Sequence, residues 1–233
     1  MGYEREDDDQ QVQGDDRHSG QSALESAARH LAGGTGPGRS YDASRQEFSA
    51  SFRAPVEWGQ STGRIRLESD FAFFDRPPDG FGDEHEAWFD EPANRWFKAT
   101  YRDRFGLAWG RNGSATPGQY LTRLLLQNRY FSDDIELVTL LNSSGHLRVL
   151  TSQRHIAGEP ATAQEIQAWF LAMGFKRLES AGRVAWYESG ENLLVADAHE
   201  GNVIKTASGV LVPIDLNLVQ PSGDLHKWVL AGS

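Results

Sequence analysis

Two kinds of hydrophobic spacing divide the chain. From Glu47 to about Tyr101, "EFSASFRAPVEW", "RIRLESDFAFF", "EHEAWFDE" and "NRWFKATY" are short segments, aromatic or alternating, separated by Pro, Gly and Asp. Alternation with a period of two matches the pleat of a strand, so this region predicts successive antiparallel strands and a small sheet. In "TPGQYLTRLLLQNRYF" the spacing changes. Tyr120, Leu121, Leu124 and Leu125 share one helical face, Thr116 stands as N-cap, Pro117 opens the helix and Gln119 completes a capping box. "IELVTLL" and "LRVLTSQ", joined by "NSSGH", predict another strand pair. "TAQEIQAWFLAMGF" predicts a second helix, capped by Thr162 and Glu165, with Ile166, Trp169, Phe170 and Met173 as its stripe and Gly174 as its stop. "RVAWYES", "NLLVADAHEGNVIKT" and "GVLVPIDLNLV" return to strand patterning with tight turns. The order strands, helix, strands, helix, strands predicts an α+β fold and gives no sign of a parallel doubly wound sheet.

Residues 1–45 lack such patterning apart from one short helix-like piece, "SALESAARHLA", before "GGTGPGRS". They read as a largely disordered, acidic, Gly-rich tail. The formal net charge is −10, and Met1–Gly20 holds seven acids against two arginines, which supplies −5 of it. No Lys/Arg cluster appears elsewhere, which argues against direct nucleic-acid binding. A hydrophobic fraction of 39% supports an ordinary core. No apolar run approaches the roughly 18–20 residues a bilayer demands, and "MGYEREDDDQQ" offers neither a basic start nor an apolar core for export, so the expected location is cytoplasmic, without membrane partners. The absence of cysteine excludes disulfides, thiolate zinc sites and cysteine nucleophiles.

The polar residues of "ADAHEGNVIKTASGVLVPIDLNL" carry the candidate chemistry. They fall between runs that read as core, on what the pattern predicts is a single hairpin. Asp197 precedes Asn202 by five residues, and Asp215 lies thirteen further on. A site for phosphoryl transfer of the protein-kinase kind needs a carboxylate to receive the hydroxyl proton, then a carboxamide and a second carboxylate to hold magnesium against nucleotide phosphates. The Asp-x-x-x-x-Asn spacing agrees with a kinase catalytic loop. An Asx-rich turn with His199 on the surface explains the same residues, and spacing alone leaves both readings open.

The stretch "LVADAHEGNVIKTASGVLVPIDL" resembles the His-x-x-Asn catalytic region of the kinase-like domains found in polyvalent proteins of phages and conjugative mobile elements, a Ser/Thr/Tyr kinase-like family. It is more distantly similar to aminoglycoside phosphotransferases. "QYLTRLLLQNRYFSDD", "LRVLTSQRHIAGEPATAQEIQAWFLAMGF" and "VAWYES" extend the resemblance over about residues 80–220. It implies a minimal protein-kinase-like fold with an antiparallel N-lobe sheet at about 46–152 and a reduced C-lobe at about 153–233. It also implies Asp197 as catalytic base with His199 in support, and Asn202 and Asp215 as magnesium ligands. Lys98 falls where such kinases grip the nucleotide phosphates, and Gly80 and Gly82 fall where a Gly-rich loop covers them. Gln153 ends the strand expected along the adenine. The implied cofactors are ATP and magnesium, and the implied partner is a hydroxyl acceptor on a protein or a small molecule.

Departures from the family pattern are equally explicit. Trp96, on the same strand face as Lys98, is bulky where kinases keep a small residue. No acid lies between Asp103 and Asp133, so the helix at Thr116 has no glutamate for Lys98, and Gln119 or Gln127 would serve only as a neutral partner. "LNLV" follows Asp215 in place of Phe-Gly, and the remaining 18 residues leave no normal substrate-binding lobe. Two alternatives follow. One is a pseudokinase-type interaction module that recruits a partner through the acidic tail. The other is a metal-dependent hydrolase with Asp197, His199 and Asp215 as ligands.

Overall fold

The computed structural model describes residues 9–32, 45–109, 114–143, 145–180 and 183–232; for 9–19, 32, 45–51, 143 and 180 it describes the backbone only. The acidic residues before Asp9 and the glycine-rich 33–40 lie outside the described residues. The chain divides into two compact units. The first comprises Met1–Gly106, Ser114–Leu121 and Asp134–Arg154, and the second Leu107–Gly113, Thr122–Asp133 and His155–Ser233.

In the first unit, helices α1 (Asp9–Ala32) and α2 (Arg45–Ser61) precede strands β1 (Ile65–Arg66), β2 (Gly80–Phe81), β3 (His85–Asp90) and β4 (Arg95–Thr100). Helix α3 (Pro117–Phe131) begins here, followed by β5 (Glu136–Ser143) and β6 (His146–Arg154). The six strands form one sheet in the order β1-β5-β6-β4-β3-β2. The expected antiparallel sheet needs one correction, because β1 pairs with β5 in parallel. Helix α2 explains it. Gly59 lies over the side chain of Leu140, and the Arg64 carbonyl just beyond accepts from Leu140 N–H, so the chain leaves the helix already running alongside β5.

Two further expectations fail in this unit. Residues 47–58 are helical, not extended. Their Phe-Ala alternation fits a strand, but Phe52, Pro55, Val56 and Gly59 also follow i, i+3, i+4, i+7, and these positions, with Trp58, are buried or half-buried. The aromatic run after β1 curls into two 3₁₀ turns, Glu68–Asp70 and Ala72–Asp75, where the Asp70 carboxylate accepts from Leu67 N–H. This brings Phe73 flat against Phe97 at 5.2 Å over a core of Trp88, Ala99, Leu141 and Leu150. The helix-like piece expected within the tail belongs to the longer helix α1, which packs against β5 and buries Ala23, Leu24, Ala27, Ala28 and Leu31. A Cβ on Gly20 would meet Glu136, and one on Gly118 would meet the Leu31 carbonyl at 2.7 Å, so both glycines permit close packing of α1.

The second unit takes the rest of α3, then β7 (Glu159–Pro160), α4 (Ala163–Ala172), β8 (Lys176–Ser180), β9 (Arg183–Glu188), β10 (Leu193–Ala196), β11 (Val203–Lys205), β12 (Leu211–Pro213), β13 (Asn217–Val219) and α5 (Gly223–Gly232). A four-stranded sheet runs β13-β10-β9-β8 and a three-stranded one β12-β11-β7. Alternation sorts the larger sheet's two faces. Trp186, Leu193 and Val195 join α4 through Phe170, which stacks on Trp186 at 4.9 Å and 7°. Ala185, Tyr187 and Leu194 join Val229 of α5. The α4 capping box forms as expected, with Thr162 and Glu165 reciprocally bonded, and Gly174 stops the helix at φ +85°.

Candidate functional site

The expected single hairpin is in fact a ribbon that splits. β10 pairs with β13 in the larger sheet, whereas β11 pairs with β12 in the smaller one. Ala196 lies opposite Asn217 and Val203 opposite Pro213, so six residues, 197–202, face three, 214–216. The excess on one side cannot be taken up by pleated pairing and bulges into a loop. Ile214 N–H donates to the Asn202 carbonyl at 2.9 Å across the break. Asp215, half-buried, is the middle residue of the short arm.

The loop is built on Asp197. Its φ of +61° is left-handed, a region that Asp and Asn enter more readily than most residues. The Asn202 side-chain amide donates from Nδ2 to the Asp197 carbonyl at 2.9 Å and to its carboxylate Oδ2 at 3.1 Å. The same Nδ2 also lies 3.2 Å from His199 Nε2, so the donor end of the Asn202 amide is engaged within the loop, and its Oδ1 is the atom suited to a hard cation. His199 closes the loop from the other side. Gly201 N–H donates to His199 Nδ1 at 3.0 Å, and Nε2 lies 3.4 Å from Asp197 Oδ1. Gly201 is needed for this approach, since a Cβ there would come within 3.0 Å of the imidazole.

Both flanks of the loop are tied to the start of α4. Glu200 accepts from Ala163 N–H, and Ala161 N–H donates to the Val203 carbonyl. Lys205 pairs with Glu165 at 2.8 Å, and this hydrogen bond, with those from Thr162, lowers the Glu165 carboxyl to about 2. The same contact raises the Lys205 ammonium. A depression of about 510 Å³ opens beside the loop, lined by Ile166, Gln167, Arg177, Trp186, His199 and Glu200 among others.

Asp197, His199 and Asn202 are thus joined directly, and Asp215 faces their loop from the opposite arm. This donor set, one carboxamide and one carboxylate with a second carboxylate at hand, fits magnesium, which takes oxygen ligands and retains positions for phosphates. The trio Asp197, His199 and Asp215 expected of a hydrolase is not assembled as a metal-holding group, and among the described residues no cluster of three or more His, Asp or Glu side chains is. Both His199 ring nitrogens face partners within the loop.

The remaining expected residues lie in the first unit. Cross-strand register puts Gly80, Ala87, Lys98 and Thr151 in one row on one sheet face. Lys98 Nζ donates to Oε1 of Gln153, on β6, at 2.7 Å. Gln119 is taken by the Thr116 capping box. Trp96 lies opposite Gln153 and packs on Phe89 at 5.1 Å. Gly82 N–H closes the β2–β3 turn on the His85 carbonyl, and neither Gly80 nor Gly82 has a positive φ.

Gln127, expected only as a neutral partner for Lys98, instead bonds to the short arm of the ribbon. It is fully buried on α3, and its Oε1 accepts from Leu216 N–H at 3.0 Å while Nε2 donates to Asp133 at 2.6 Å. The signal was a polar residue on an apolar helical stripe, three after Leu124 and seven after Tyr120.

Residues 110–219 match the model of a family described as a serine/threonine/tyrosine kinase found in polyvalent proteins. Over these 110 of 233 residues the chain is similar to that family. The matched segment contains Gln153, Asp197, His199, Asn202 and Asp215, whereas Gly80, Gly82 and Lys98 precede it. No curated protein and no solved structure matches the chain. Among the described residues no helix is long and apolar enough to cross a membrane.

Proposed function

We propose that the protein is an ATP- and magnesium-dependent phosphotransferase acting on a Ser, Thr or Tyr hydroxyl, with a minimal protein-kinase-like fold. The observation that carries this reading is the Asn202 amide, whose nitrogen is bonded to both the carbonyl and the carboxylate of Asp197. In this reading that contact holds the proposed base and leaves the amide oxygen available to the proposed metal. The kinase-family match over the same loop supports it. So does the placement of Lys98 on the third strand of the meander β2-β3-β4, ahead of helix α3, since kinases carry the phosphate-binding lysine on their third strand beneath a Gly-rich loop.

In this reading Asp197 receives the proton as the acceptor hydroxyl oxygen bonds to the γ-phosphorus and the bond to the ADP oxygen breaks. His199 orients the Asp197 carboxylate. Asn202 Oδ1 and Asp215 would hold magnesium, which when bound supplies positive charge to the phosphate oxygens. Lys98 steadies the phosphates, with Gln153, Gly80 and Gly82 contributing to the nucleotide. Binding without catalysis is the second reading, and the contact of Lys98 with the neutral Gln153 amide is compatible with it.

Calorimetric titration with ATP tests the core of the proposal. Binding should require magnesium and weaken at least about tenfold in Asp215→Asn, a direct metal ligand. Equal affinity with and without magnesium, or in the variant, refutes it.

A further inference from the structure

A primary amide removed from water costs free energy unless its donor and acceptor both find partners. Gln127 is 0% exposed and directly follows the buried Leu126 on α3, one turn after the buried Leu124, so its position demands an account. It plays no part in capping or in pairing an exposed charge. Its oxygen accepts from Leu216 N–H and its nitrogen donates to Asp133 Oδ2. A carboxylate only accepts, so Asp133 fixes which end of the amide faces it and thereby presents Oε1 to Leu216.

Leu216 directly follows Asp215 in the short arm of the split ribbon. In a continuous ladder the opposite strand would hold this segment, but here the six-residue loop lies opposite and pairing resumes only at Asn217. Gln127 supplies the missing acceptor at the peptide unit that joins Asp215 to Leu216. We infer that Gln127 is a positioning residue that fixes the backbone of Asp215 for metal binding, with Asp133 setting its orientation. The inference rests on the proposed role of Asp215 as a magnesium ligand.

The test uses the full chain, Gln127→Glu, and the exchange pair Gln127→Glu/Asp133→Asn. In the single variant the second carboxylate oxygen confronts Asp133 where an N–H now donates. Hydrogen exchange at Leu216, read without metal, should speed up about tenfold or more, and Mn²⁺ affinity in the presence of ATP should fall by a similar factor, the scale of losing an outer-shell support. The exchange pair conserves charge and restores an N–H between the two side chains, so both readings should return to within about threefold of the parent, as coupled neighbours do. Leu216 exchange unchanged in the single variant, or affinity unrestored in the pair, would overturn the positioning role. Asp215→Asn with parental Mn²⁺ affinity would overturn the metal reading instead, and the metal-free exchange data keep the two failures apart.

Discussion

Asp197 combines a proposed chemical role with an unusual backbone, and three substitutions separate them. Its φ of +61° costs most L-residues about 1–2 kcal/mol relative to the right-handed region, whereas Asn tolerates it and Gly has no Cβ to clash. Asp197→Asn therefore keeps the loop and leaves an amide oxygen to accept from Asn202, while removing the carboxylate. Loss of a general base should slow phosphoryl transfer by about 10²–10⁴-fold in all three variants, Asn, Gly and Ala. Only Ala adds a conformational penalty, about 1 kcal/mol. For a chain of this size that lowers Tm by about 2–4 °C relative to Asn. The assay is transfer from γ-labelled ATP to a generic acceptor protein such as casein, beside a thermal melt of each variant. An Asn variant that retains more than about a tenth of the parental rate would refute the assignment of the base. An Ala variant that melts with the Asn variant would refute the backbone argument.

Two further outcomes concern stability. The Glu165 carboxyl is lowered from 4.5 to about 2, so its pairing with Lys205 stabilises the fold above pH 4.5 and loses that effect as the pH falls through about 2. The stability gap between the parent and Glu165→Gln should close across that window in denaturant titrations at stepped pH; a gap independent of pH would contradict the pairing. Phe170→Ala removes a fully buried ring stacked on Trp186 and should cost about 3–5 kcal/mol in urea unfolding. A loss below about 1 kcal/mol would mean that the core reading around α4 is wrong.

Where local chemistry decided the structure, the sequence was readable. Thr116 with Gln119 and Thr162 with Glu165 announce helix starts because the cap residues act on backbone groups three positions away. The alternation of β3, β4 and β9 was equally plain. Helix α2 was not, because Phe52, Pro55, Val56 and Gly59 satisfy a helical period while their neighbours satisfy a period of two, and only packing chooses between them. The site divides the same way. Asp197 and Asn202 are five apart on one loop, so their association was visible in their spacing. The splitting of the ribbon depends on Glu159 and Pro160 pairing with β11 from a distant part of the chain. The role of Gln127 depends on Leu216, 89 positions away, and no local pattern records such a bond.

The strand order of the first unit bears on how the protein can be cut for expression. The family match begins at residue 110, yet β6 lies between β5 and β4, and β4 spans Arg95–Thr100. A fragment trimmed to the matched residues would keep the β5–β6 pair and discard β1 to β4, baring a full row of main-chain donors and acceptors along β6, which contains the buried run Leu147–Gln153. Such an edge invites a second molecule to add its own strand. The matched segment should therefore aggregate when produced alone, and a usable fragment must begin upstream of β2.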